Sequence, residues 1–265
     1  MPDDPVPVPP VIDWDFWLSF AAPGPNWACD PATKSGATPD FTSLTARFDL
    51  IQSTAYTCRA TVGETIIGEL SWDPNHPDGT DMDGTNSGLL TVHGTIYIPG
   101  SLFITKLGGR DVFRYSGKGT IYVGGTIAIN NVQLCATLAK YQQGGTGPNK
   151  WWCDTRPYAE GDPAAWDTAK NALVLAAKDR GGYIGAANSV EVVSSQFQGV
   201  LAGTYNIEVT TSSIVQGPMI STDGSVSLNQ STGASFPSIR FPPASTPGKP
   251  PPPSVLLAPR EFGGG

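Results

Sequence analysis

Side-chain oxygens are crowded into one stretch of the sequence, between residues 73 and 88. Closely spaced oxygen ligands around glycines are what Ca²⁺ requires, and Asp81-x-Asp83-Gly84 resembles the start of a calcium-binding loop. A loop of the EF-hand type continues to a glutamate, whereas residues 86–89 contain none. The stretch is therefore predicted to be a solvated, turn-rich excursion, with Asp78, Asp81 and Asp83 as candidate calcium ligands. No other cofactor is predicted.

Two carboxylates are spaced for a different chemistry. Glu191 and Glu208 lie on separate predicted strands, 17 residues apart, so one turn of a coiled sheet would stack them. Paired carboxylates are the acid and base of glycoside hydrolysis, but two like charges placed together are unfavourable. No Ser/His/Asp order, phosphate-binding glycine loop or nucleotide fingerprint occurs in the chain. We therefore predict a protein that is not an enzyme, with a carbohydrate-active β-helix enzyme, a polysaccharide lyase or hydrolase, as the alternative.

A third group of residues points to binding. Four aromatic residues fall within or beside the Gly- and Pro-rich insertion at residues 136–170: Trp151, Trp152, Tyr158 and Trp166. Exposed aromatic rings can stack on sugars or insert into a protein partner. The same rings could instead cover the flank of the sheet as a small core under a long loop. The sequence leaves both interpretations open.

The cysteines form two local pairs, Cys29 with Cys58 and Cys135 with Cys153. Neither pair has the spacing of a zinc knuckle or a C-x-x-C redox motif, and sequential pairing closes the shortest loops. We predict two disulfides, of which the second contributes roughly 3 kcal/mol by loop closure. Disulfides imply an exported protein. Residues 1–12 are acidic and proline-rich, without a basic segment or apolar run. Either the export or anchor segment therefore lies outside the given sequence, or the inference of export from disulfides is wrong.

The element that must position these residues is a short, repeated strand. Residues 94–104 return 25 positions later at 119–129 with six of eleven residues identical. A chain repeats at this period when one unit cannot bury its apolar face alone and must stack on a copy. Charged residues make up only 15% of the chain, while 31 glycines and 25 prolines fit short strands joined by turns. The predicted fold is all-β, a single-stranded β-helix or β-solenoid.

The remaining segments extend this prediction along the chain. Strands are expected at 65–72, at 89–98 and from residue 189 onward, where Gln198-Gly199 and Gln216-Gly217 recur at 18 residues. At 162–178 we expect one or two helical turns to about Lys170, followed by a strand. From the N-terminus, the sequence predicts a proline-rich lead-in at 1–11 and a solenoid domain at 12–241, followed by a proline-rich disordered tail at 242–265. The solenoid domain is predicted to include an aromatic, disulfide-tied cap at 12–60 and an insertion at 136–170.

The order of these segments resembles an actinobacterial family of exported proteins associated with type IV pili, similar to the extracellular part of large minor-pilin-like proteins. The resemblance covers about residues 12–242 and rests on an ordered set of segments: a Pro-Gly-Pro turn leading to a cysteine, Tyr56-Thr57-Cys58, Glu69-Leu70-Ser71-Trp72, residues 91–98, Leu134-Cys135, Phe197-Gln198-Gly199 and residues 215–219. It implies a β-helix-like fold and no catalytic residues. The chain departs from the family by lacking its N-terminal apolar helix.

These observations predict an extracellular, cell-surface protein with a structural or adhesive role. Its expected partners are pilus or envelope proteins, or surface glycans. The formal charge of −7 and the lack of any basic cluster exclude nucleic acid, and the chain itself offers no membrane contact.

Overall fold

β-Strands account for nearly all of the regular structure. The protein is described by a computed structural model that covers residues 14, 27–30, 47–62, 64–76, 88–98, 100–142, 149–154, 166–179 and 188–229. The strands are β1 (Trp27–Asp30), β2 (Arg47–Asp49), β3 (Tyr56–Val62), β4 (Thr65–Asp73), β5 (Leu89–Ile98), β6 (Ser101–Thr105), β7 (Val112–Ser116), β8 (Lys118–Val123), β9 (Ile127–Asn130), β10 (Gln133–Cys135), β11 (Leu138–Gln142), β12 (Asn149–Cys153), β13 (Ala172–Ala177), β14 (Asn188–Val193), β15 (Gln196–Gln198), β16 (Val200–Gly203), β17 (Asn206–Thr210), β18 (Ile214–Gln216), β19 (Met219–Ser221) and β20 (Val226–Asn229).

Most of these strands pair in parallel and form three stacks. The first stack runs from the start of β5 through β7, β10 and β15 to β18, and the second from the end of β5 through β8, β13 and β16 to β19. The third stack consists of β2, β6, β9, β14, β17 and β20. The chain passes from the first stack to the second and then to the third before it returns. We call each such pass a coil, and the described residues form five, beginning at β5, β7, β10, β15 and β18.

The internal repeat aligns in register, which confirms the predicted stacking of the two 25-residue units. Ile96 pairs with Ile121 and Tyr97 with Tyr122 in the second stack. The shorter repeat is also confirmed, because Gln198 pairs with Gln216 in the first stack. The all-β, parallel character of the fold therefore agrees with the sequence.

Apolar ladders fill the interior of the stacks. In each strand alternate residues point inward, and parallel pairing places the inward residue of one coil over that of the next. One ladder runs through Ile96, Ile121, Leu175, Leu201 and Met219. All but Met219 are fully buried, and Met219 packs against the same core. No single coil could shield these side chains, so burial depends on the coils above and below.

Hydroxyl side chains and special backbone conformations shape the corners between stacks. Asn131 and Ser194 adopt positive φ angles of 52° and 48° where the third stack turns back to the first. At the same corner the buried Ser213 hydroxyl accepts from the backbone N–H of Ser195, one coil below, at 3.2 Å. Backbone groups that leave the ladder at a corner are in this way satisfied by the next coil.

Antiparallel strands adjoin the first coil. β4 pairs antiparallel with β5, β3 with β4 and β1 with β3, and this last pair places Cys29 opposite Cys58. Trp14 lies against the outer face of the second stack, where its ring meets Tyr122 edge-on at 5.7 Å and its Nε1–H donates to Thr204 Oγ1 at 3.1 Å. Trp14, β1 and most of β3 belong to the predicted N-terminal cap at 12–60, much of which lies outside the described residues.

The predicted strands at 65–72, 89–98 and beyond 189 are confirmed by β4, β5 and β14–β20. Within residues 162–178, β13 confirms the predicted strand, and a turn at 167–171 precedes it. The start of the helix predicted in this segment lies outside the described residues. The lead-in at 1–11 and the tail at 242–265 also lie outside them. Within the described ranges, no helix has the length and apolar character needed to cross a membrane.

Candidate functional site

A β-hairpin leaves the stacked coils between β10 and β13. It consists of β11 and β12, which pair antiparallel from Leu138 opposite Cys153 to Gln142 opposite Asn149. A disulfide joins Cys135, the last residue of β10, to Cys153, the last residue of β12, with their Cα atoms 5.2 Å apart. Both sulfur-bearing residues are buried. The hairpin is thereby bound covalently to the first stack at its base.

Buried glutamines hold the hairpin against the outer face of the first stack. Gln198, at the end of β15, is fully buried although it lies on an outward position of its strand. Its Oε1 accepts from the backbone N–H of Ala136 at 2.8 Å and of Thr137 at 2.9 Å. Its Nε2–H donates to the backbone carbonyl of Asp154 at 2.9 Å. One side chain therefore binds both ends of the hairpin, since residues 136 and 154 flank it.

Two further glutamines extend this contact along the stack. Gln196 Oε1 accepts from the backbone N–H of Cys153 at 3.0 Å, and Gln216 Nε2–H donates to the Asp154 carbonyl at 3.0 Å. Each glutamine is 3% exposed. Because parallel pairing places residue over residue, glutamines from two successive coils reach the same segment of the hairpin. We call Gln196, Gln198 and Gln216 the glutamine clamp.

The structure separates the predicted aromatic group. Trp151 and Trp152 lie in β12, opposite Lys140 and Ala139 in the hairpin register. Trp166 is 8% exposed and belongs to the main apolar core. Its Nε1–H donates to the backbone carbonyl of Asn171 at 2.8 Å, so this indole stabilises the base of the insertion and offers no free ring. The fourth residue, Tyr158, lies outside the described residues.

The two carboxylates are stacked on the outer face of the third stack. Glu191 of β14 pairs directly with Glu208 of β17, as the 17-residue spacing suggests. Adjacent strands are about 4.8 Å apart, so the two side chains are close neighbours. Glu208 accepts from the side-chain amides of Asn188 and Asn229, the latter at 2.9 Å. Burial, and secondarily the charge of Glu208, raise the pKa of the Glu191 carboxyl.

The predicted calcium ligands, Asp78, Asp81 and Asp83, lie outside the described residues. Among the residues that the structure does describe, no group of three or more His, Cys, Asp or Glu side chains is placed to hold a metal ion. The hairpin and its clamp therefore form the best-defined candidate site.

The sequence predicted the Cys135–Cys153 disulfide, which the structure contains, but not the clamp. The recurring Gln-Gly pair at 198 and 216 was a signal of the coil period, and it was also the signal of the clamp. Comparison of the chain with protein-family models, with curated proteins and with solved structures finds no match.

Proposed function

We propose that this protein is an exported, cell-surface protein with a structural or adhesive role, associated with a type IV pilus or the cell envelope. We further propose that its body is a β-solenoid, with an aromatic N-terminal cap and a proline-rich C-terminal tail. The observation that carries the proposal is the hairpin, which a disulfide and the glutamine clamp fix to one face of the stacked coils. A hairpin held this firmly is suited to presenting a contact surface at low entropic cost.

The disulfide and the stacked apolar core support this role. Adhesion outside the cell requires stability without a cytoplasmic supply of chaperones and reductants, and disulfides persist in that setting. The stacked coils bury a continuous apolar core whose ladders extend through every coil of the described chain. Such a body tolerates an insertion on one face, because each coil depends on its neighbours and not on the loops.

The contact residues proposed are Trp151 and Trp152, and the proposed partners are surface glycans or pilus and envelope proteins. Purified protein would be tested on a glycan array and on isolated pili and cell envelopes. Trp151→Ala with Trp152→Ala is expected to lower binding at least about tenfold, as loss of an aromatic anchor does. Lys150→Ala, in the same strand, is the matched control and should bind as the parent does. Retained binding by the double variant, at unchanged melting temperature, would contradict the assignment.

Location is tested separately from binding. Antibody labelling of intact producing cells should detect the protein outside, and thiol alkylation should find Cys135 and Cys153 oxidised. Protein confined to the cytoplasm, or recovered with reduced cysteines, would contradict export.

A carbohydrate-active enzyme is a second candidate, supported by the register that stacks Glu191 on Glu208. A carboxyl whose pKa is raised, placed beside a second carboxyl, is the arrangement of an acid and its partner in glycoside hydrolysis. The amide donors that hold Glu208 favour a structural role instead. Release of reducing or unsaturated sugars from a polysaccharide panel, abolished by Glu191→Gln and by Glu208→Gln, would establish the enzyme. No release from any substrate would remove this candidate.

A further inference from the structure

Within the part of the chain that the structure describes, no strand covers the last coil. Val226 and Leu228 continue the inward ladders of the third stack, directly over Ile207 and Val209. The two residues below are fully buried, whereas Val226 is 38% exposed and Leu228 43% exposed. Apolar side chains that belong to the core by register are therefore open to solvent at this end.

The three strands at this end contain neither of the residue types that normally prevent edge-to-edge association, charged residues and proline. Within the described residues β18, β19 and β20 each pair on one side only. Their sequences, IVQ, MIS and VSLN, contain no charge and no proline. In native proteins, charged residues, proline or a covering segment usually prevent an exposed edge strand from pairing with another chain. At the opposite end, β4 covers β5 by antiparallel pairing.

We propose that residues 230–241 of this chain bind the open end and close it. The chain leaves β20 at Asn229, and 36 residues follow it. The last two coils repeat at 18 or 19 residues, and the same offset from Val215 in β18 reaches residues 233 and 234. If the chain continues at this period, the residues that follow Asn229 reach the open edge of the first stack.

The composition of this segment matches what the open end lacks. Phe236, Ile239 and Phe241 supply apolar side chains for the exposed ladders. Pro237 and the prolines that begin at Pro242 have no N–H to donate, so a strand added here would offer no further edge. The segment would both cover the core and stop further pairing.

Attachment in the same chain favours this occupant over a second copy. A short tether gives an effective concentration in the millimolar range, which exceeds ordinary protein concentrations. The proposal is independent of the adhesive role, and it assigns the segment a function as a stop against end-to-end association.

The first test measures amide hydrogen exchange and sedimentation in the full-length chain. Phe236→Ser, Ile239→Ser and Phe241→Ser together are expected to speed exchange in β18–β20 at least about tenfold and to cause concentration-dependent association. Val255→Ser, Leu256→Ser and Leu257→Ser remove a similar apolar group from the tail and serve as the matched control. Unchanged exchange in β18–β20 in the first variant would overturn the proposal.

A second measurement does not depend on destabilising the protein. A nitroxide on Ser238→Cys should broaden the amide resonances of β18 and β20, and a nitroxide on Ser254→Cys should not. Equal broadening by both labels, or none by the first, would overturn the proposal. Broadening that disappears when excess unlabelled protein is added would show that a second copy occupies the end, and would also overturn it.

Discussion

Replacement of Gln198 by alanine tests whether the glutamine clamp holds the hairpin. The change removes three hydrogen bonds with the backbone, two from the N–H groups of Ala136 and Thr137 and one to the carbonyl of Asp154. It also removes two longer contacts with the Thr137 hydroxyl, at 3.4 and 3.5 Å. Ala136 is 1% exposed and Asp154 is 1% exposed, so water cannot readily replace the lost partner. A buried polar group left unsatisfied costs about 1–3 kcal/mol.

The costs of leaving these three backbone groups unsatisfied are only partly independent of one another. Together they should lower the free energy of unfolding of the Gln198→Ala protein by roughly 3–5 kcal/mol. Gln133→Ala is the matched control, because Gln133 lies on the same outer face, where Gln196 pairs above it. Its Oε1 has no hydrogen-bond partner among the described residues, so its removal should cost less than about 1 kcal/mol.

The assay is equilibrium urea unfolding of the oxidised protein, with the slope against urea checked for two-state behaviour. A second readout is the rate at which a small thiol reduces the Cys135–Cys153 disulfide, which should rise about tenfold when the hairpin opens more often. A Gln198→Ala protein within about 0.5 kcal/mol of the parent, or a Gln133→Ala protein equally destabilised, would refute the reasoning.

Three further changes are expected to have measurable effects. Gly217→Ala places a Cβ against the Gly199 carbonyl oxygen at φ +140°, and chemical unfolding should show a loss of about 2–5 kcal/mol. Because the pKa of Glu191 is raised on folding from 4.5, its contribution to stability is present at acidic pH and is lost as pH rises through the folded pKa. Glu191→Gln should therefore stabilise the protein at pH 7 but not at pH 4, as scanning calorimetry at both values would show; equal effects at both would contradict this. Trp14→Phe removes the donor to Thr204 Oγ1 and should cost about 1 kcal/mol by urea unfolding, and no change would show that this contact is not maintained in solution.

The stacking of coils could be predicted because two pairs of coils repeat without interruption. Residues 94–104 and 119–129 differ by one fixed offset, and the glutamines at 198 and 216 by another, so sequence periodicity reports their register directly. The same reasoning placed Glu191 over Glu208, since β14 and β17 are also separated by a single uninterrupted coil.

The stacking of the third coil on the second could not be predicted, because the insertion interrupts the repeat at this point. Residue Ile127 pairs with Val190, 63 positions later, since the insertion lies between their strands. No periodicity survives an interruption of that length. The burial of Gln198 and Trp166 depends on where the insertion docks, and a long-range contact of this kind leaves no signal in local spacing.

The most direct test is whether successive coils stack in parallel register. Both the glutamine clamp that holds the hairpin and the open end at β18–β20 depend on this register. Nuclear Overhauser effects between methyl groups in specifically labelled protein measure this directly. The account predicts cross-peaks between Ile96 and Ile121 and between Leu201 and Met219, which pair in neighbouring coils. Cross-peaks that instead join Ile96 to residues of the last coil, with none to Ile121, would contradict it.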